Sequence, residues 1–173
     1  MLKNKRMPIG REVPADAAPP GPDTQRFAAG VVTFGVEYRY VRASDYPQDS
    51  VNAAVGAWGQ IPIEEDSGPA IYVFDSVTGA EYLRFDCLAM EPHYHYESPA
   101  ESTYWIVPFD LYANGTDMVG WTINALQMNL RPMLRNTGGA HLIDSIDDGL
   151  VERATALVRA AVNDVVQRAL VNN

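Results

Sequence analysis

Cysteine is nearly missing from this 173-residue chain: Cys87 stands alone. That rules out an intrachain disulfide and every Cys-x-x-Cys metal or redox motif. Lysine is almost as scarce, because Lys3 and Lys5 are the only two. The body of the chain therefore has no amine for a Schiff base and no P-loop lysine, which excludes pyridoxal-phosphate enzymes and Walker-type nucleotidases. No G-x-G-x-x-G follows a strand pattern, and neither G-x-S-x-G nor H-E-x-x-H occurs. No apolar run approaches the roughly eighteen residues of a membrane span. The N-terminal residues are charged without an apolar core segment, unlike a secretory leader, so the expected location is cytoplasmic.

Positive charge is short as well. The net charge is −9 and the isoelectric point about 4.7, which opposes binding to nucleic acid or anionic lipid, where Lys and Arg must neutralise phosphates. Neither nucleic acid nor membrane is an expected partner. The distribution is uneven. Residues 1–28 carry five basic and three acidic side chains, against eight and nineteen in the rest. This basic stretch also holds Pro8, Pro14, Pro19, Pro20 and Pro22, has no hydrophobic period, and should be an extended tail held by another subunit. Residues 29–173 are expected to form one α+β domain, a size that allows a proper core.

Apolar residues at period two place a half-buried strand over Val32 to Tyr40. Ala43 to Ser67 reads as connection, with a short helical turn near Val51 to Trp58 and a solvated acidic run at Glu64-Glu65-Asp66. Ile71 to Phe74 and Glu81 to Leu88 flank turn residues and predict a hairpin. In its second arm Leu83, Phe85 and Cys87 share one face, and Tyr82, Arg84 and Asp86 the other, so Cys87 should be buried. Ser102 to Leu111 is apolar on both faces, as in a central strand, with Pro108 marking a bulge or an end.

The period then lengthens. Trp121, Ala125 and Met128 recur at helical spacing, Asp117 can cap, and Pro132 should kink or end the helix. Leu150, Ala154, Leu157, Val158, Ala161, Val165 and Ala169 make the stripe of a long helix from about Asp147 to Leu170. The expected fold is an antiparallel sheet of about four strands with two C-terminal helices on one face.

Histidine is scarce, and two of the three lie in Pro92-His93-Tyr94-His95-Tyr96, after a strand. In extended backbone, alternate residues project to one side about 7 Å apart. His93 and His95 can thus converge on one ion, with His141 from the glycine-rich connection as a third nitrogen and Asp86, Glu91, Glu97 or Glu101 as oxygen ligands. Nitrogen and carboxylate ligands suit Zn, Fe(II) or Mn. Tyr94 and Tyr96 face the opposite way and are candidate proton donors. Arg84 and Asp86 form a polar patch able to receive a substrate carboxylate or carbonyl. The alternatives are structural or interface histidines, and a surface ion pair at Arg84 and Asp86 like that expected of Glu37 and Arg39.

The stretch Phe85-Asp86-Cys87 followed by Pro92-His93-Tyr94-His95-Tyr96 resembles the signature of a family of small uncharacterised bacterial proteins. That resemblance covers about fifteen residues and assigns no fold, activity or residue role. Two functions lead, with a binding module for a small anionic ligand at Arg84 as a third. The first is an accessory subunit of a larger enzyme assembly, homo- or hetero-oligomeric, joined through residues 1–28 and the C-terminal helix. The second is a small metal-dependent enzyme in which His93 and His95 hold an ion that activates water or a carbonyl substrate.

Overall fold

The computed structural model describes residues 11–14, 19–42 and 65–172. The remaining tail residues and 43–64 of the expected connection Ala43 to Ser67, with its helical turn and Trp58, lie outside the described residues, and Glu65 to Ser67 are strand instead of connection. Seven strands form one sheet: β1 (Arg11–Pro14), β2 (Gln25–Ala29), β3 (Val32–Arg42), β4 (Glu65–Asp75), β5 (Glu81–Asp86), β6 (His93–Ser98) and β7 (Thr103–Pro108). From β2 to β7 the chain runs as an antiparallel meander, and β1 joins its far edge against β7.

The expected class is therefore what the structure has, with a larger sheet. The additional strands are β1, β2 and β6. Two are short and drawn from the proline-rich tail, and the third is the histidine segment itself, whose side chains are aromatic or polar on both faces. β7 lies next to the edge instead of at the centre. Pro108 ends it, as a residue without an amide proton should.

A single helical turn, α1 (Leu111–Asn114), precedes α2 (Met118–Met128), α3 (Leu130–Leu134) and α4 (Asp148–Asn172). The Asp117 carboxylate caps α2 by accepting the Gly120 amide at 2.8 Å. Pro132 sits in the second half of this helical region, and the helix breaks at Asn129, before it. Asp147 caps α4 by accepting the Leu150 amide. No helix among the described residues is long and apolar enough to cross a membrane.

Both major helices lie on one face of the sheet. Along α4, Val151, Ala154, Val158, Ala161, Val162 and Val165 are buried in one core with Val32, Phe34 and Val36 of β3 and Ile71 and Val73 of β4. Leu157, counted in the apolar stripe, instead points outward and is 56% exposed. Trp121 of α2 meets Phe85, Tyr94 and Phe109 with ring centroids 5.2–6.2 Å apart. Cys87 is buried, and burial pushes its thiol up to about 12.

The opposite face is buried too, but it is mostly polar. Its apolar part is Ala70, Tyr72 and Phe74. Close approach here needs glycine: a Cβ on Gly68 would stand 2.3 Å from the Cys87 carbonyl oxygen. Gly68→Ala should therefore push the backbone after β5 away from β4 and cost about 1–3 kcal/mol, as overpacking does. Urea denaturation of the variant checks this, and a midpoint equal to that of the unaltered protein would contradict the packing.

Candidate functional site

Alternation along β6 sends His93, His95 and Glu97 to the polar face and Tyr94 and Tyr96 to the helix face. The register sets each histidine against a chosen partner: Asp86 pairs with His93 and Arg84 with His95. Asp86 then stands between the two imidazoles. Its Oδ2 lies 3.4 Å from His93 Nε2 and 3.3 Å from His95 Nε2. The ring centroids of the two histidines are 5.0 Å apart. Asp86, His93 and His95 each offer one ligand atom, all within 4.8 Å of one another.

The outer nitrogen of each ring also faces an oxygen. His93 Nδ1 is 2.7 Å from the Glu91 carbonyl, and His95 Nδ1 is 3.3 Å from Glu97 Oε1. Such outer contacts, to a carbonyl or a carboxylate, are what metal-bound histidines have. Tyr104 of β7 stacks on His95 at 5.0 Å and 18°, which holds the ring plane. Asp86 Oδ1, both ring nitrogens of His95 and Glu97 Oε1 are buried with no hydrogen-bond partner in good geometry. His93, at 23% side-chain exposure against 5% for His95, is the side from which the site is reached.

Around this centre the polar face carries further charge. Arg39 Nη1 is 3.5 Å from Asp86 Oδ1, and its Nε is 3.8 Å from Glu37 Oε1. Tyr72 donates a short hydrogen bond to Glu37, whose other oxygen accepts from the Gly21 amide and the Thr24 hydroxyl. Arg84 donates to both oxygens of Glu81, at 2.7 and 3.1 Å. Three residues apart on a regular strand, that pair would lie on opposite faces. A register shift between Val73 and Phe74 sets Phe74 opposite Glu81, and this bulge brings Glu81 to the Arg84 side.

The electrostatics follow from this arrangement. Burial raises the Asp86 carboxyl, but hydrogen bonds and charge from His93 and His95 outweigh it and hold Asp86 well below the usual range. Burial lowers His95, and its carboxylate neighbours Asp86 and Glu97 more than reverse that. Burial raises Glu81 despite Arg84, and raises Tyr94 and Tyr96 on the other face.

Among the residues expected from the sequence, His93, His95, Asp86 and Arg84 come together. Tyr94 and Tyr96 do not join them. Tyr94 packs on Phe85 and Trp121, and Tyr96 is 7% exposed in the helix-side core, so neither faces the histidines. Tyr82, placed with Arg84 by alternation, is turned by the bulge to the helix side, where Gly138 and Gly139 make room for its ring. His141 is also on the helix side, 3.5 Å from Asp75, so it does not join the two histidines, and Asp86 stands beside them instead. Glu37 and Arg39 are not a surface pair: their side chains are only 10% exposed. Glu81, Tyr72 and Tyr104 escaped the sequence, which holds no mark of a bulge or of strands pairing across distance.

Two variants test these placements. Arg84 is 3% exposed between Glu81 and Asp86. Arg84→Met should cost about 3–5 kcal/mol in a urea melt, because it strands buried carboxylates. Asp75 concerns acid stability. The Val77 amide, with Thr78 and His141 adding and burial opposing, holds its carboxyl below 3.8. A lowered folded pKa contributes stability that is present above the unfolded value and lost as pH falls through the folded one. Asp75→Asn should therefore flatten the decline of the urea midpoint between about pH 5 and pH 2. An unchanged acid slope would contradict the assignment.

No curated protein and no solved structure matches this chain. A family model does match, over residues 26–162, from β2 through most of α4 and across the whole Asp86, His93 and His95 centre. The chain belongs to the family described as a domain of unknown function, DUF7700.

Proposed function

We propose that Asp86, His93 and His95 hold a divalent transition-metal ion, and that the chain is a small metal-dependent enzyme in which the ion activates water or a substrate carbonyl. The main support is a mismatch of donors and acceptors. Each imidazole lies between two oxygens, Glu91 O and Asp86 Oδ2 for His93, Glu97 Oε1 and Asp86 Oδ2 for His95. A neutral imidazole has one N–H. With that proton turned to the outer oxygen, both Nε2 lone pairs point at a carboxylate oxygen, and a cation among them relieves the conflict. A tetrahedral centre with bonds of about 2.1 Å separates its ligands by about 3.4 Å, close to the 3.3 and 3.4 Å found here.

Charge supports the same conclusion. Around the centre, the carboxylates of Glu37, Glu81, Asp86 and Glu97 outnumber the guanidiniums of Arg39 and Arg84. A cation among the histidines reduces that imbalance, and uncompensated buried charge is costly. Two nitrogens and one carboxylate suit Zn, Fe(II) or Mn. Three protein ligands leave a coordination position free, the arrangement of catalytic zinc and not of structural zinc.

The second reading is an accessory subunit of a larger assembly. Leu157 and Val171, 56% and 83% exposed on α4, favour it. Against it, Asp164 and Arg168 form a 2.7 Å ion pair on the same outward side of that helix and break its apolar character. The tail strand β1 also pairs with β7 of its own chain and needs no partner to hold it.

Elemental analysis of the purified full-length protein decides between metal and its competitor, a doubly protonated histidine pair. The expected result is about one transition-metal ion per chain, absent from His93→Ala/His95→Ala and from Asp86→Asn. Metal returned to the stripped protein at about a hundredfold excess over Kd should stabilise it by about 2.7 kcal/mol, read as a rise in Tm. Turnover of model esters, amides or phosphoesters should vanish on chelation. A metal-free protein whose Tm ignores Zn, Fe(II) and Mn ends the proposal.

A further inference from the structure

The acidic run Glu64-Glu65-Asp66 reads in the sequence as a solvated loop, but Glu65 and Asp66 open β4, and one of them is not solvated. Asp66 is half-buried, and its carboxylate accepts backbone amides from a loop more than twenty residues away. Oδ1 takes Ala89 and Met90 at 3.1 Å, and Oδ2 takes Met90 at 3.2 Å and Glu91 at 2.9 Å. Oδ1 also accepts from Ser67 in its own strand at 2.8 Å. Successive amides turned toward one point form an anion-binding nest. Here the chain fills it with its own side chain.

Apolar packing does not hold this loop. Ala89 and Glu91 are exposed, and Met90 is 66% exposed. Its order depends on hydrogen bonds, chiefly those of Asp66. Glu91 is pinned by Asp66 on its amide side and followed by Pro92, whose ring fixes φ. Pro92 in turn is tied to the residue after β7 through its carbonyl, which accepts from the Phe109 amide at 2.9 Å. The direction of the Glu91 carbonyl is thereby set, and that carbonyl is the partner of His93 Nδ1.

We propose that Asp66 is a positioning residue for the metal site: by clamping the Ala89–Glu91 loop it aims the Glu91 carbonyl at His93 Nδ1 and so turns His93 Nε2 toward Asp86. This extends the metal proposal and rests on it for its purpose, but the orientation of His93 is measurable without metal. Glu65 is the natural control, since its side chain is 78% exposed and pairs only loosely with Arg42, at 3.6 Å.

Two measurements test the idea. In metal-free protein at about pH 9, where an ordinary imidazole is neutral, long-range 1H–15N spectra report which ring nitrogen carries the proton. His93 should be the Nδ1–H tautomer in the unaltered chain and in Glu65→Gln, and should lose that preference in Asp66→Asn and Asp66→Ala, with His95 unmoved. Affinity for Co2+ and Zn2+, by competition with a chromophoric chelator, should fall about 10–100-fold in the Asp66 variants, the cost of losing an outer-shell partner, and stay level in Glu65→Gln. Should Asp66→Ala not fold, Asp66→Asn keeps the side-chain volume and carries both measurements. If the unaltered protein binds neither ion while the tautomer still responds to Asp66, the positioning role stands and the metal reading falls. Folded Asp66 variants with an unaltered His93 tautomer overturn the positioning role, whatever the metal does.

Discussion

Asp86 lies in the middle of a sheet with 6% of its side chain exposed, and a carboxylate so placed persists only where cations and donors surround it. Its neighbours meet that condition. Arg39 approaches one oxygen and both histidines share the other, while Arg84 lies on the next residue of that face and is itself neutralised by Glu81. None of these groups is adequate alone. Arg84 without Glu81 and Asp86 would be a buried guanidinium, and Glu37 without Tyr72, Gly21 and Thr24 a buried carboxylate. The polar face is thus one mutually compensating set, with Asp86 and the two histidines at its centre.

The sheet keeps this set apart from the hydrophobic core through its pleat alone. Along β6 the histidines face one way and the tyrosines the other, about one strand thickness apart. That geometry gives Tyr94 and Tyr96 to the aromatic cluster around Trp121 and reserves the opposite side for chemistry. Among the described strands, the bulge opposite Val73 and Phe74 is the one register shift. It delivers Glu81 to Arg84 and Tyr82 to the glycines near His141 in one step.

The match to the DUF7700 family covers residues 26–162 and so contains the polar side chains from Glu37 to Tyr104, while Gly21 and Thr24 precede it. The strand β1 lies outside the matched region yet completes the sheet by pairing with β7. The family's description names no reaction. A centre reached from the His93 side, beside an exposed loop that Asp66 holds in place, is consistent with an ion that meets solvent on one side.

Much of this protein is legible in its residue order. Period-two apolar residues mark β3 and β5, short apolar runs mark β4 and β7, helical spacing marks α2 and α4, Asp117 marks the start of the first helical stretch, and the His-x-His pair marks the candidate site. Those features depend only on local backbone geometry and on which side chains avoid water. The rest was decided by pairing across distance. β2 and β6 carry too little apolar contrast to announce themselves, and only the register sets Asp86 against His93. The bulge leaves no trace in composition, and scarcity alone groups His141 with two histidines that lie across the sheet from it. Local sequence determined that two histidines share a side; tertiary structure alone chose Asp86 as their partner, because strand register is a property of two segments and is written in neither of them.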